Sequence, residues 1–65
     1  MDEHSGRDSL ISERELAAWL KVSYATAKRR RAEGGDWPPH RQIGRLIRYS
    51  TVEVRRWLDR QQGAG

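Results

Sequence analysis

Cysteine is absent from the 65-residue sequence, and the only histidines are His4 and His40. Without cysteine the chain can form neither a disulfide scaffold nor a cysteine-based zinc finger. Two isolated histidines do not make a metal-ligand pattern, so we expect neither a metal nor a cofactor. No apolar run reaches membrane-spanning length, and no signal-peptide core is present. These absences predict a soluble intracellular protein.

The sequence also lacks the usual motifs of catalytic sites. It has no cysteine nucleophile and no histidine placed near an acidic partner by a recognisable motif. It has no glycine-rich phosphate loop followed by Lys-Ser or Lys-Thr. His4 falls in the N-terminal tail and His40 beside the prolines, where a solvent-facing side chain is the simpler interpretation. We therefore expect a protein that is not an enzyme and has no small-molecule substrate.

Basic side chains are in excess. Thirteen Lys and Arg residues oppose nine Asp and Glu residues, which gives a formal net charge of +4. Such a balance favours polyanionic partners such as nucleic acid, without separating DNA from RNA. A chain of this length forms one small domain that buries at most about 60% of its unfolded surface. It therefore has little capacity for an enclosed active site.

Apolar periodicity is confined to residues 10–61, which predicts one folded domain there. Residues 1–9 are predicted to form a disordered tail and residues 62–65 a flexible one. The segment Ser12-Glu-Arg-Glu15 predicts a capping box at the start of a first helix, over about residues 13–20. Its apolar residues have helical spacing and are expected in the core: Leu16, Ala17, Trp19 and Leu20.

A second short helix is predicted after a turn at Lys21-Val22, capped by Ser23. At 100° per residue its side chains divide into a presenting face and a supporting face. The presenting face holds Tyr24, Ala25, Lys28 and Arg29, and the supporting face holds Thr26, Ala27 and Arg30. One interpretation is that the cations simply offset the partial charge at the end of the helix. The surrounding elements favour a helix-turn-helix instead, in which the second helix enters the major groove of DNA.

Individual residues of this helix suit contact with DNA. Small Ala25 would let the backbone approach base edges closely. The exposed first-turn amides after Ser23 can hold a phosphate. The predicted recognition-helix contacts are Ser23, Tyr24, Ala25, Thr26, Lys28, Arg29 and Arg30.

A β-hairpin is predicted over residues 40–49. Gly44-Arg45 separates two short alternating segments and suits a two-residue turn in which Gly44 supplies a positive φ. We expect Ile43, Ile47 and Tyr49 to point inward, and Leu46 to be exposed where it could contact a neighbouring copy. The basic residues predicted to contact the minor groove or phosphates from this wing are Arg41, Arg45 and Arg48. Arg45 is the best placed to enter a minor groove.

A third helix should begin at a second capping box, Ser50-Thr-Val-Glu53. Its inward stripe is Val54, Trp57 and Leu58, and its exposed arginines alternate with acids as on a solvated face. Trp37, held by the two prolines that follow it, is expected to be a core residue rather than a base-stacking platform. The predicted fold class is mostly α with a small β-hairpin, a winged helix-turn-helix of three helices plus a wing.

Spaced residues along this segment resemble those of the phage excisionase family, winged helix-turn-helix proteins related to the MerR-type DNA-binding head. They are Ser23, Thr26, Arg29, Glu33, Trp37-Pro-Pro39 and Gly44-Arg45, and the resemblance covers about residues 10–61. It implies double-stranded DNA as the partner, with helix 2 in the major groove and the wing in the adjacent minor groove. It also implies that copies of the protein assemble head to tail on direct repeats and bend the DNA.

The family's members are recombination directionality factors, so the resemblance further implies a phage integrase as partner and a role in favouring excision. The location implied is the cytoplasm of a bacterial host, on the nucleoid. By position, Thr26 resembles a phosphate-contacting threonine, Arg29 a base- or phosphate-contacting arginine, and Arg45 the minor-groove arginine of the wing. Lys28 falls on a basic position. Arg30 replaces a residue that is usually aromatic, and Lys21 replaces a glycine common in the turn.

Two other functions compete with this interpretation. A small phage or plasmid transcription regulator of the same fold would show the same residues. A protein-interaction adaptor or an RNA binder is supported only by general basicity. Closely spaced direct repeats beside an attachment site would favour the excision role, whereas a lone promoter operator would favour the regulator.

Overall fold

The computed structural model describes residues 8–63, which form three helices and a three-stranded antiparallel sheet. In chain order the elements are β1 (Leu10–Ser12), α1 (Glu13–Leu20), α2 (Tyr24–Glu33), β2 (Arg41–Ile43), β3 (Leu46–Ser50) and α3 (Thr51–Gly63). The strand order in the sheet is β1-β3-β2. The expectation of a mostly helical domain with three helices and a hairpin is confirmed at this level.

Strand β1 is not predicted by the sequence analysis. It pairs antiparallel with β3, with Leu10 opposite Ser50 and Ile11 opposite Tyr49. Ser12 has the extended conformation of an N-cap residue, with φ −78° and ψ 167°. The residue that caps α1 can therefore also be the last residue of a strand, so the capping signal hides the strand before it.

Local signals set the ends of α1 and the start of α2 as expected. The Glu15 amide donates to Ser12 Oγ (3.1 Å) and the Ser12 amide donates to Glu15 Oε1 (2.8 Å), completing the capping box. The bond from the Ser12 amide lowers the pKa of Glu15. Lys21 ends α1 in the left-handed conformation, with φ 60°. Ser23 then caps α2, its Oγ accepting from the Thr26 amide at 3.0 Å.

Helix α2 continues past the basic run that ends at Arg31, because Ala32 and Glu33 are also helical. It ends at Gly34, whose φ of 74° places it in the left-handed region that glycine tolerates best. The Gly34 amide donates to the Arg30 carbonyl at 3.3 Å.

The hairpin turns at Gly44 and Arg45, as predicted, and Gly44 has a φ of 62°. The inward position predicted for Ile43 is wrong. A two-residue turn places Ile43 opposite Leu46, and residues paired directly across two strands share a face of the sheet. Both side chains are 51% exposed. Gln42 lies opposite Ile47 and shares its face of the sheet, but Gln42 is itself exposed.

The core is built on Leu16, Tyr49 and Val54, which are fully buried. Its surrounding layer consists of Ile11, Leu20, Trp37, Ile47 and Leu58. Trp37 packs edge-on against Trp57, with ring centroids 6.0 Å apart. The inward stripe predicted for α3 and the core position predicted for Trp37 are thus confirmed.

Trp19 is not a core residue, contrary to the sequence-based expectation. It is 36% exposed, and the Arg55 guanidinium lies 6.0 Å from its ring centroid. Leu16, Leu20 and Ala17 span an inward arc of about 100°, and at 100° per residue Trp19 falls about 60° outside that arc. Its side chain therefore lies at the surface beside the core.

The described chain begins with two residues that bond to the start of α3. Ser50 Oγ donates to Asp8 Oδ1 at 2.6 Å, which lowers the pKa of the Asp8 carboxyl. The Thr51 amide donates to the Ser9 carbonyl at 2.9 Å, and the Ser9 amide donates to Thr51 Oγ1 at 3.1 Å. Asp8 and Ser9, assigned to the tail from sequence, thus hydrogen-bond to the folded part. The rest of that predicted tail, residues 1–7, lies outside the described residues.

The opposite end of the chain differs from its expectation in a similar way. Helix α3 runs to Gly63, so two of the four residues predicted to form a flexible C-terminal tail are helical. Residues 64 and 65 lie outside the described part. At the start of α3, the Ser50 half of the expected capping box is present, with the Glu53 amide donating to Ser50 Oγ at 3.2 Å. The Glu53 carboxylate instead lies 3.7 Å from Arg41 Nη2.

The left-handed Lys21 gives a stability prediction. The left-handed conformation destabilises a non-glycine residue by about 1–2 kcal/mol. Replacing it by glycine removes this strain but lowers stability by about 0.5–1 kcal/mol, because glycine has more conformational entropy in the unfolded state. We expect Lys21→Gly to raise the free energy of unfolding by about 0.5–1 kcal/mol, measured by urea denaturation. Lys21→Ala removes the charge but keeps the strain and is the matched control. Equal stability of the two variants would contradict the prediction.

Candidate nucleic-acid interface

A cleft of about 390 Å³ opens between the start of α1, helix α2 and the β2–β3 hairpin. We call it the basic cleft. Its lining residues are Ser12, Glu13, Arg14, Tyr24, Lys28, Arg31, Arg45, Leu46, Ile47 and Arg48. Five of these carry a positive charge and one carries a carboxylate. A concave surface with one dominant charge sign concentrates the field and attracts oppositely charged ligands.

The one carboxylate in the basic cleft is held by two hydrogen bonds. Glu13 is only 5% exposed, and its Oε2 accepts from Arg31 Nε at 2.6 Å and from the Tyr49 hydroxyl at 2.7 Å. The bond to Glu13 raises the pKa of Arg31 further. Glu13 therefore balances Arg31 and leaves the other four cations of the cleft in excess.

Tyr49 extends this network to the segment before the hairpin. Its hydroxyl accepts a hydrogen bond from Trp37 Nε1 at 3.1 Å. Burial, together with the hydrogen bond to Glu13, raises the pKa of Tyr49 to about 12. The network joins α1, the C-terminal half of α2, β3 and the Trp37 segment. It thereby sets the position of α2 relative to the hairpin.

The predicted contact residues of α2 occupy three kinds of position. Tyr24 and Lys28 line the basic cleft. Ala25, Arg29 and Arg30 are exposed on the helix outside it. Ser23 and half-buried Thr26 form the helix cap, with the Ser23 hydroxyl donating to Thr26 Oγ1 at 2.9 Å. On the predicted supporting face, Ala27 is fully buried as expected, whereas Arg30 is exposed.

Two cations lie close to the Tyr24 ring. The Arg14 guanidinium carbon lies 4.4 Å from the centroid of its ring, and Lys28 Nζ lies 5.1 Å from it. Cations at these distances are attracted by the electron-rich face of the ring. Tyr24 as a whole residue is 37% exposed. Tyr24 therefore contacts one cation from α1 and one from α2 at the edge of the basic cleft.

The three predicted arginines of the hairpin separate into two locations. Arg45, at the turn, and Arg48, on β3, line the basic cleft opposite α2. Arg48 Nη1 also donates to the Ile47 carbonyl at 2.8 Å. Arg41 does not line the cleft and lies 3.7 Å from the Glu53 carboxylate.

Sequence reasoning missed two cations of the basic cleft. Arg14 comes from the first turn of α1, for which the sequence predicts a capping box and core residues but no contact with DNA. Arg31 ends the basic run of α2, and its position facing Glu13 depends on how α1 and α2 pack. The spacing of residues within one helix cannot reveal pairs between two helices. The position of the acidic Glu13 on the inward side of α1 does indicate that a cation from another element faces it.

Within residues 8–63 no three or more His, Asp or Glu side chains are grouped so that they could hold a metal ion. Among the described helices, none is both long enough and apolar enough to cross a membrane.

Comparisons with known proteins add no relative to this geometry. No protein-family model matches the chain, and no curated protein or solved structure is significantly similar to it.

The raised pKa of Tyr49 predicts a dependence of stability on pH. The unfolded-state value is about 10 and the folded value about 12, so the protonated hydroxyl stabilises the fold fully below pH 10. This stabilisation is lost as the pH rises toward 12. We expect Tyr49→Phe to cost about 1–2 kcal/mol at pH 8 and the difference from the unmodified protein to fall by about 2 kcal/mol by pH 12. Urea denaturation over this pH series measures it, and a constant difference would contradict the prediction.

Proposed function

We propose that the protein is a winged helix-turn-helix that binds double-stranded DNA in a sequence-specific manner. The observation that carries the proposal is the basic cleft, because it lies between an exposed, basic helix and the tip of a basic hairpin. A DNA strand passing between the two grooves would run through this cleft, with α2 in the major groove and the β2–β3 hairpin at the adjacent minor groove.

The dimensions and side chains of α2 suit this placement. Its ten residues make a helix about 15 Å long, and the major groove is about 12 Å wide. Arg29 is exposed on the outer side of α2, where it can form a bidentate contact with guanine. Ala25 is also exposed and leaves room for the backbone to approach the base edges.

The hairpin tip suits the minor groove. Arg45 follows the left-handed Gly44 at the turn and lines the cleft, and an arginine at such a tip is favoured where the minor groove narrows. Together α2 and the hairpin would neutralise about five phosphates. The logarithm of the affinity would then fall with the logarithm of the salt concentration with a slope of about −4 to −5.

Within this class we propose that the protein acts on recombination, assembling on direct repeats and directing a phage integrase toward excision. The support is the resemblance of the spaced residues to the phage excisionase family. A physical argument points the same way. A single module buries only about 600–1,000 Å² of protein surface on DNA, so useful affinity at cellular salt requires neighbouring copies to help one another.

A titration on DNA tests both levels of the proposal. Duplexes that carry one, two or four direct repeats taken from beside an integrase attachment site are mixed with increasing protein and separated by gel shift. We expect later copies to bind at lower free protein than the first. Independent binding to one operator would favour a transcription regulator, and the absence of binding to any duplex would contradict the DNA-binding function.

Arg29 provides a test of the major-groove contact. We expect Arg29→Ala to weaken binding to the preferred site by about 1–3 kcal/mol and to relax base preference at one position, measured by competition between variant duplexes. Arg60→Ala removes an equally exposed cation from α3, outside the basic cleft, and should leave preference unchanged. Retention of wild-type preference by the Arg29 variant would exclude this residue as a base contact.

A further inference from the structure

We propose that Arg14 of α1 is a phosphate contact and that Tyr24 of α2 is the residue that positions it. This inference rests on the proposed DNA-binding function and adds a contact from α1, which holds none of the residues predicted from sequence to bind DNA. The observation behind it is the position of the Arg14 guanidinium carbon over the Tyr24 ring, 4.4 Å from the ring centroid, at the edge of the basic cleft.

Arg14 adds a positive charge on the side of the basic cleft that is formed by α1. Lys28 lines the cleft from α2, and Arg45 and Arg48 line it from the hairpin. Arg14 comes from the first turn of α1, next to Ser12 and Glu13, which also line the cleft. A phosphate between α2 and the hairpin would therefore meet positive charge from three separate elements.

The Tyr24 ring gives Arg14 an orientation that an exposed arginine ordinarily lacks. A free arginine side chain loses up to about 2 kcal/mol of rotamer entropy when a ligand fixes it. The cation–π contact fixes part of that freedom before DNA arrives. Guanidinium stacking uses the face of the group and leaves its N–H edge available, and that edge is what a phosphate binds.

This arrangement gives Tyr24 a role different from contact with bases. The ring touches Arg14 on α1 and Lys28 on α2, so it holds two cations and needs no polar atom of its own to do so. The hydroxyl group is then dispensable, whereas the aromatic ring is not. Tyr24→Phe and Tyr24→Leu separate these two properties.

The test measures the affinity for a preferred duplex as a function of salt for single and double variants. We expect Arg14→Ala to weaken binding about 5- to 10-fold and to reduce the magnitude of the salt slope by about 0.9, the value for one phosphate contact. Arg60→Ala is the matched loss of a cation and should leave the slope unchanged. Thermal unfolding of each variant checks that the fold is kept. Because Arg14 is exposed, we expect its replacement by alanine to leave the fold intact.

A double-mutant cycle tests the positioning role of Tyr24. Tyr24→Phe, the conservative variant that keeps the ring, should recover most of the affinity that Tyr24→Leu loses. Tyr24→Leu should lower the affinity for the duplex about 3- to 10-fold. In the Arg14→Ala background the same substitution should cost at most half of that binding free energy. The part that persists is the share of Lys28. If Tyr24 had only a structural role, Tyr24→Leu would lower the affinity by the same factor whether residue 14 is arginine or alanine.

The outcomes distinguish this inference from the function on which it rests. If the unmodified protein binds duplex DNA but Arg14→Ala keeps the wild-type slope, the phosphate contact is wrong and the DNA-binding function stands. If the slope changes but Tyr24→Leu acts independently of Arg14, the positioning role is wrong. If the unmodified protein binds no duplex, both the proposed function and this inference are overturned.

Discussion

The buried carboxylate of Glu13 is the constraint on which the arrangement of this domain depends. A carboxylate removed from water must be compensated, and here Arg31 and the Tyr49 hydroxyl both donate to the same oxygen. These partners come from α2 and β3, while Glu13 belongs to α1. The three elements are therefore held in one relative orientation by a group that cannot tolerate the loss of its partners.

The ion pair between Glu13 and Arg31 contributes more to the geometry of the domain than to its net stability. A buried ion pair gains little over a well-packed apolar substitute, but its directional bonds accept few alternative arrangements. The core of this chain is small, with Leu16, Tyr49 and Val54 at its centre. Apolar packing of so few residues would allow α2 to rotate or slide against the sheet, and the bonds to Glu13 oppose this. The width of the basic cleft is set by the same bonds.

The sequence predicts the elements whose signals are local. The capping box at Ser12, the Ser23 cap and the turn at Gly44 each depend on residues within four positions, and all three are present. Errors arise where distant residues decide the outcome. Strand β1 needs β3 as a partner, the register of the turn decides the face of Ile43, and the packing of α1 decides the exposure of Trp19.

The same distinction applies to the candidate site. Tyr24, Lys28, Arg45 and Arg48, chosen from sequence, line one cleft, whereas Arg14 and Arg31 join them only through the packing of α1.

The contact of Ser9 with Thr51 spans 42 positions and has a consequence for how the chain folds. The pairing of α1 with α2 and the closing of the hairpin each involve residues near in sequence, so both can occur early. Joining β1 to β3 instead closes a loop of about forty residues, at an entropic cost on the order of 3 kcal/mol. This step should limit the rate of folding, and the two ends of the domain should separate together when it unfolds.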